Sequence, residues 1–304
     1  MSGFLLSLVV TACGGSTSDP IVVADPWDRC PVPGQGITLG GTPGSEDSVQ
    51  SPLRRVVLMG GGSENDAAAT LLVEGAAGGD VVILRATGSV SSYPNYFTIE
   101  LSPIPAPSSA VTVLTNDPTA GDDPSALCWL AGAEAVWLAG GDQSDYLIKW
   151  PVGLQAALAQ AQNRGVSIGG TSAGAVSLGE AAFDARLGTV TSQEALGNPL
   201  DQSVSLSYPS FFAEELSGFY VDSHFADRDR EGRLFAFLAR FLSEKSRSEV
   251  FGLGLDEGVA VVIEGGSFEV YSGGEGAAWL YRVTGPAQLE AGQPLELSGI
   301  TRTR

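Results

Sequence analysis

The chain has 304 residues, of which 43% are hydrophobic and 17% are charged, so it can form one or two domains with a sizeable core. Its 35 acidic residues outnumber its 16 basic residues and give a formal net charge of −19. A surface of this charge repels phosphate backbones, which excludes nucleic acid as an expected partner, and it is compatible with a monomer or a homodimer.

An apolar run from Phe4 to Ala12 leads into Cys13. The run is too short to span a bilayer as a helix and is typical of the central region of a signal peptide. Val10-Thr-Ala-Cys13 resembles the lipobox of bacterial lipoproteins. Residues 1–13 are therefore expected to direct export to the periplasm, outer surface or exterior, with a lipid anchor on Cys13. No Lys or Arg precedes Arg29, so a start further upstream and an ordinary buried segment stay open.

Residues 14–53 are rich in Gly, Pro, Ser and Asp, and we expect a low-complexity extension with little regular structure ahead of a domain at 54–304. Cys30 and Cys128 remain as a pair. In an exported protein they are available for a disulfide that ties the extension to the main body, and the alternative is two unpaired thiols. No Cys-x-x-Cys or His-rich cluster exists, so no metal site is predicted.

From residue 55 onward, apolar strands alternate with helices. Strands are predicted at 55–59, 81–84, 111–114, 135–138 and from 166 into 172, and helices at 65–76 and 151–163. This alternation predicts a mainly parallel sheet covered on both faces. Sites in such sheets lie at the carboxyl ends of the strands, where Gly60-Gly-Gly62, Gly140-Gly-Asp-Gln143 and Gly170-Thr-Ser172 are found. Gly60-Gly-Gly62 lacks the lysine and serine of a phosphate loop and indicates close backbone approach.

The pattern changes after Ser172. A strand at 219–222 precedes a helix that runs through 234–242, and the chain beyond Val250 is rich in strands, at 252–255, 259–263 and 267–271. Gly265-Gly266 is typical of a hairpin turn between the last two. The sequence therefore predicts a β-rich C-terminal part.

Gly170-Thr-Ser-Ala-Gly174 fits Gly-x-Ser-x-Gly, in which a serine nucleophile sits on a sharp strand-to-helix turn. The N–H of Ala173, at the helix start, would then point at an oxyanion. With 40 glycines in the chain, a chance match is the alternative, because Gly and Ser turns also join strands to helices without any chemistry. The strand-terminal position favours Ser172 as a nucleophile.

A serine nucleophile needs a general base, and His224 is the only histidine in the chain. It follows the strand at 219–222, although a lone histidine is often a surface or core residue. A carboxylate should orient the imidazole. Asp222 and the neighbouring pair Asp256 and Glu257 are candidates, and the residue pattern alone leaves all three open.

These segments together resemble cyanophycinase and its serine-peptidase relatives, which include the aspartyl dipeptidase peptidase E, over roughly residues 54–265. The matching segments are Gly140-Gly-Asp-Gln143, Gly169-Gly-Thr-Ser-Ala-Gly-Ala175, Asp222-x-His-Phe225 with Arg228, Arg230 and Arg233, and Gly254-Leu-Asp-Glu257. The resemblance implies an αβα sandwich related to class I glutamine amidotransferases, with serine in place of cysteine.

The resemblance also implies a role for each site residue and no cofactor. Ser172 would be the nucleophile, His224 the base and Glu257 the acid, and the N–H groups of Gly141 and Ala173 would form the oxyanion hole. The residues implied to line the substrate site are Gln143, Asp222, Arg228, Arg230 and Arg233. A self-paired, solvated helix start is the alternative for the arginines.

Cyanophycin, a poly-aspartate with arginine on each side chain, is the implied substrate, and carboxylates of such a polymer would suit the arginines. Ser223 departs from the family pattern, because cyanophycinases generally carry glutamine before the histidine. The expected function is therefore a serine peptidase that releases small dipeptides from cyanophycin or a related aspartate-containing polymer through an acyl-enzyme. The alternatives are a peptidase for another acidic peptide and an inactive, surface-anchored binding protein.

Overall fold

A computed structural model describes residues 25–44, 52–115 and 117–304, so the predicted export signal and Cys13 lie outside the described residues. In chain order the strands are β1 (Ile37–Thr42), β2 (Val56–Met59), β3 (Asp80–Arg85), β4 (Ser109–Thr115), β5 (Ala135–Leu138), β6 (Ser167–Thr171), β7 (Ala182–Phe183), β8 (Leu206–Ser207), β9 (Phe219–Asp222), β10 (Val250–Leu255), β11 (Val259–Glu264), β12 (Ser267–Ser272), β13 (Ala278–Val283), β14 (Ala287–Gln288), β15 (Glu296–Leu297) and β16 (Ile300–Thr303).

The α-helices are α1 (Asp66–Gly75), α2 (Ser92–Asn95), α3 (Pro124–Ala131), α4 (Val152–Asn163), α5 (Ala173–Val176), α6 (Ser192–Gly197) and α7 (Glu231–Glu244). Short 3-10 turns lie at Pro26–Arg29, Pro118–Asp122 and Glu214–Leu216, and π-helical turns at Tyr96–Glu100 and Asp145–Lys149. Among the described residues, no helix combines the length and apolar character needed to cross a membrane.

The larger sheet has the strand order β1-β4-β3-β5-β6-β2-β11-β12. Its five central strands, from β4 to β2, are parallel, and antiparallel strands flank them on both sides. Most side chains of the central strands are apolar, as expected for parallel strands with both faces buried. The predicted mixed α/β fold with a mainly parallel sheet is confirmed.

Alternate residues of the central strands enter two separate cores, which makes the molecule a sandwich of three layers. On one face, Leu58, Val136 and Ile168 pack with Trp129 of α3 and Leu158 of α4. On the other face, side chains of the intervening strand residues pack against α1, among them Val57, Met59, Ile83 and Trp137 with Leu72. The parallel arrangement brings the carboxyl ends of β2, β5 and β6 together at one edge, where a site can form.

The C-terminal part adds a second sheet in the order β16-β13-β10-β9, with α7 against one of its faces. Phe237 and Phe241 of α7 pack with Tyr220 of β9 and Tyr281 of β13 in a third core. Gly265 and Gly266 form the turn of the β11–β12 hairpin, both at positive φ, as predicted. The predicted β-rich C-terminal part is confirmed.

The N-terminal extension is more ordered than its composition predicts. Within residues 14–53, which were expected to have little regular structure, β1 pairs along its whole length with the sheet edge at β4. A disulfide joins Cys30 to Cys128 of α3, so the pairing that the sequence left open is present. The expectation was wrong for this stretch because β structure depends on an available partner edge, and the glycines of Ile37–Thr42 conceal its alternation.

Candidate active site

Ser172 occupies the turn between β6 and α5, with φ 51° and ψ −118°. A residue with a Cβ is strained there, and in nucleophile elbows this conformation raises the serine hydroxyl above the sheet. The turn packs tightly, since a Cβ on Gly174 would lie 2.1 Å from the carbonyl oxygen of Leu138. The sequence pattern and the local geometry therefore agree at this turn.

His224 follows β9 and faces the serine. Its Nε2 lies 2.8 Å from Ser172 Oγ, and the ring is largely buried, with the residue 7% exposed. The backbone fixes the ring position, because His224 N donates to the carbonyl oxygen of Gly60 and Phe225 N donates to that of Leu255. His224 also has a positive φ of 46°. A general base is thus held at hydrogen-bond distance from the hydroxyl that it would deprotonate.

Glu257 is the acid that contacts the imidazole. Its Oε1 lies 2.5 Å from His224 Nδ1. The carboxylate of Asp256 instead accepts from the backbone N–H groups of Ala226 and Ala277, and Asp222 is held by arginines. With Nδ1–H donated to Glu257, Nε2 is left as the acceptor for the serine proton. The geometry therefore distinguishes Glu257 from the other two candidates.

Burial lowers the pKa of His224 below its ordinary value near 6.5. The hydrogen bond that His224 donates to Glu257 opposes this by raising the pKa, whereas the positive charges of Arg228 and Arg230 lower it further. The net effect favours a neutral ring at neutral pH. A neutral imidazole is the form that can accept a proton from Ser172.

The Gly60-Gly-Gly62 loop presses against this triad. A Cβ on Gly61, whose φ is 93°, would lie 2.4 Å from His224 Nε2 and 3.1 Å from Ser172 Cβ. The carbonyl oxygen of Gly61 also accepts from Gly258 N, next to Glu257. The loop therefore makes the close backbone approach that the sequence indicated.

The two candidate oxyanion donors are adjacent to Ser172. Ala173 N lies at the first position of α5. A Cβ on Gly140 would lie 3.5 Å from Ser172 Cβ, so the loop that carries Gly141 passes next to the serine. Within the described residues, neither Ala173 N nor Gly141 N donates a hydrogen bond. Both donors are therefore available to a ligand.

Two of the residues that were predicted to bind substrate form a buried ion pair with each other. Arg233, which is 3% exposed, donates from Nε and Nη2 to the fully buried carboxylate of Asp222, at 2.9 and 2.6 Å. Arg230 lies beside this ion pair, and its Nη1 donates to Asp222 and to the carbonyl oxygen of Ser223. The expectation that Asp222 and Arg233 line the substrate site is not met, because their charges are paired in the interior beneath the His224 turn.

Arg228 differs from these arginines. It is exposed, its side chain makes no hydrogen bond or ion pair within the described residues, and its charge lies close enough to lower the pKa of His224. Gln143 is partly exposed after the loop that carries Gly141, and its amide makes no hydrogen bond among the described residues. Among the described residues, Arg228 is therefore a cation that stays available to a substrate near His224.

Asp227 was not singled out from the sequence, yet its Oδ2 accepts from the backbone N–H of Glu257 at 3.0 Å. No local signal marks it, since it is one of several acids in an exposed turn. Among the described residues, no group of three or more His, Cys, Asp or Glu side chains is arranged to hold a metal ion.

The sequence profile of peptidase family S51 matches residues 118–271, half of the chain. Among solved structures, a peptidase from an acI-B1 Actinobacterium has a TM-score of 0.51 at 17% sequence identity, over 82% of this chain and 95% of that one. A putative peptidase E protein from Listeria monocytogenes EGD-e has a TM-score of 0.45 at 13% identity, over 72% of this chain and 98% of that one. No curated protein matches. The first structure shows a shared fold.

Proposed function

The chain belongs to peptidase family S51, a family of serine peptidases, and on that basis we propose that Ser172, His224 and Glu257 are its catalytic triad. The observation that carries this proposal is the continuous chain of hydrogen bonds from Ser172 Oγ through both imidazole nitrogens to Glu257. Such a chain lets a weak hydroxyl nucleophile lose its proton as it attacks.

The proposed reaction proceeds through an acyl-enzyme without a cofactor. Ser172 Oγ attacks the substrate carbonyl while His224 Nε2 takes its proton, and the N–H groups of Gly141 and Ala173 bind the resulting oxyanion. The C–N bond then breaks, and the leaving amine takes the proton from His224. Water, deprotonated by His224, attacks the ester and releases the acid product, and the proton returns to Ser172. Glu257 holds the imidazole and stabilises its charged form throughout.

The proposed substrate is cyanophycin or another polymer or peptide with aspartate carboxylates. Arg228 supports this, because an exposed, unpaired guanidinium beside the triad is suited to a carboxylate. Gln143 is proposed as a polar contact on the other side of the oxyanion loop. Ser223 has a shorter side chain than the glutamine that cyanophycinases carry before the histidine. The substrate contact at this position would therefore differ, and another acidic peptide is the alternative substrate.

A cleft of about 610 Å³ bordering Glu257 also favours a substrate with positive groups. Four carboxylate residues line it, namely Glu64, Asp66, Glu257 and Glu275, and no Lys or Arg is among its lining residues in the described part of the chain. The arginine side chains of cyanophycin would find complementary charge there. Arg228 and this cleft together suit a substrate that carries both charges.

The proposed location is outside the cytoplasm, with Cys13 as a lipid anchor. The disulfide between Cys30 and Cys128 supports it, because structural disulfides persist mainly in oxidising compartments. Metabolic labelling with a fatty-acid analogue tests the anchor, and Cys13→Ala should remove the label.

The protein is proposed to be either a monomer or a homodimer, and light scattering of the purified protein distinguishes the two.

Digestion of purified cyanophycin by the full chain, with Ser172→Ala alongside, tests the function. Release of dipeptides by the wild-type protein alone would support both the substrate and the nucleophile. A protein that reacts with a fluorophosphonate probe but releases nothing from cyanophycin would remain a serine hydrolase for another acidic peptide. A folded protein that fails both assays would be the inactive binding protein.

A further inference from the structure

Two loops carry the imidazole and the acid, and hydrogen bonds join them in both directions. Ala226 N, in the loop that begins at His224, donates to Asp256 Oδ1 at 3.0 Å. Glu257 N, in the other loop, donates to Asp227 Oδ2, also at 3.0 Å. Each loop thus supplies one carboxylate that accepts a hydrogen bond from a backbone N–H of the other loop.

The two carboxylates differ in how else they are held. Asp256 is 7% exposed and also binds Ala277 N and the indole of Trp279, so it has a structural role in joining β10 to β13. Asp227 is exposed, and within the described residues its only hydrogen bond is the one to Glu257 N. Asp227 can therefore be changed with little effect on the core.

Glu257 needs such a support because little else fixes its side chain. The side chain is 40% exposed, and Oε1 is the oxygen that meets His224. Glutamate loses considerable rotamer freedom when it is held in one orientation. A hydrogen bond that fixes its backbone N–H relative to the His224 loop limits where the carboxylate can go.

We propose that Asp227 is a positioning residue, which holds Glu257 at hydrogen-bond distance from His224 by anchoring its backbone N–H. This inference rests on the proposed function, since it assigns Asp227 a part in orienting the same triad. The anchoring depends on an acceptor oxygen at the end of a short side chain. Asparagine retains that oxygen, whereas alanine lacks it.

The test compares Asp227→Ala and Asp227→Asn with the wild-type protein. The matched control is Asp229→Asn, in the same exposed turn, because the side chain of Asp229 makes no hydrogen bond in the described part of the chain and asparagine tolerates its positive φ. Two readouts are used: the second-order rate of fluorophosphonate labelling at Ser172, and the NMR titration of His224. The titration needs no assignment because His224 is the sole histidine.

Asp227→Ala is expected to label about 10- to 100-fold more slowly. The pKa of His224 in this variant should fall, since the hydrogen bond to Glu257 raises it. Asp227→Asn and Asp229→Asn should stay within about threefold of the wild type. Asp227→Glu, which moves the carboxylate by one methylene, should also slow labelling and serves if Asp227→Ala does not fold.

Wild-type labelling rates and an unchanged His224 titration in Asp227→Ala would overturn the inference. So would equal losses in Asp227→Asn and Asp227→Ala, because the charge rather than the acceptor would then matter. Absence of labelling in the wild-type protein would instead count against the proposed function, while the His224 titration would still report whether Asp227 holds Glu257. The two failures are therefore distinguishable.

Discussion

Arg233 of α7 binds the carboxylate of Asp222, at the end of β9, through two parallel hydrogen bonds in the protein interior. Asp222 also accepts from Ser223 N, so this ion pair lies directly beneath the turn that presents His224. A buried carboxylate left without its partner is strongly destabilising. The pair therefore secures the end of β9, and the basic cluster after His224 divides into structural and available arginines.

Arg233→Ala is expected to lower the free energy of unfolding by about 3–5 kcal/mol. Arg228→Ala should change it by less than about 0.5 kcal/mol, because Arg228 is exposed and unpaired among the described residues. Instead, Arg228→Ala should raise KM for an acidic substrate about 10- to 100-fold through the loss of a charged hydrogen bond. Urea denaturation and steady-state kinetics measure the two effects. Similar stability losses in both variants would contradict this division.

Ser172→Ala is expected to abolish fluorophosphonate labelling and to lower peptide hydrolysis by at least about 10³-fold. The oxyanion donors and substrate contacts would remain, so substrate binding should persist. Mass spectrometry of the labelled wild-type protein should locate the adduct on Ser172. Labelling of the alanine variant at the wild-type rate would remove Ser172 from the mechanism.

The labelling rate should fall in acid as His224 becomes protonated, because the imidazolium cannot accept the proton of Ser172. Since burial lowers the pKa of His224, the midpoint is expected below about 6.5. Arg228→Ala should move the midpoint upward, because it removes a positive charge that disfavours the imidazolium. NMR titration and the pH profile of labelling should give the same midpoint. A midpoint above 6.5 in the wild-type protein would contradict the electrostatic argument.

Gly61→Ala should reduce labelling at least about 100-fold, because its Cβ would lie 2.4 Å from His224 Nε2 and displace the ring. Gly188→Ala is the matched control: its φ of 91° is close to the 93° of Gly61, but a Cβ there meets nothing within 4 Å. Both variants should lose at least about 1 kcal/mol of stability from backbone strain, and Gly61→Ala should lose more because its Cβ also meets the His224 ring. Equal labelling rates in the two would show that the loop does not constrain the triad.

The sequence was most informative where a buried strand is a continuous apolar run. Ala135–Leu138 was predicted with the bounds that the structure has, because its four residues are apolar and all buried. Phe219–Asp222, which ends in a buried aspartate, also has the predicted bounds. Ile37–Thr42, α3 and the C-terminal strand Ile300–Thr303 were missed. Their structure depends on a neighbouring edge or face that local patterns do not reveal.

In the candidate site, too, local features could be predicted from the sequence, and features that depend on packing could not. The turn at Ser172 could be predicted because its glycines and its strand-to-helix context are local. The pairing of Asp222 with Arg233 could not, since it depends on how α7 packs against β9. Likewise, Glu257 rather than Asp256 meets His224 because the end of β10 directs Asp256 toward Trp279. Charges close in sequence do not reveal which of them neutralise each other in three dimensions.

The disulfide between Cys30 and Cys128 also determines how the molecule would carry mechanical load. Tension applied through the residues before Cys30 would pass across the covalent bond to α3 before it reached β1. The β1–β4 edge would therefore be shielded from force and could not be peeled away strand by strand. In a chain held at its N-terminal side, such tension would reach the domain first at α3.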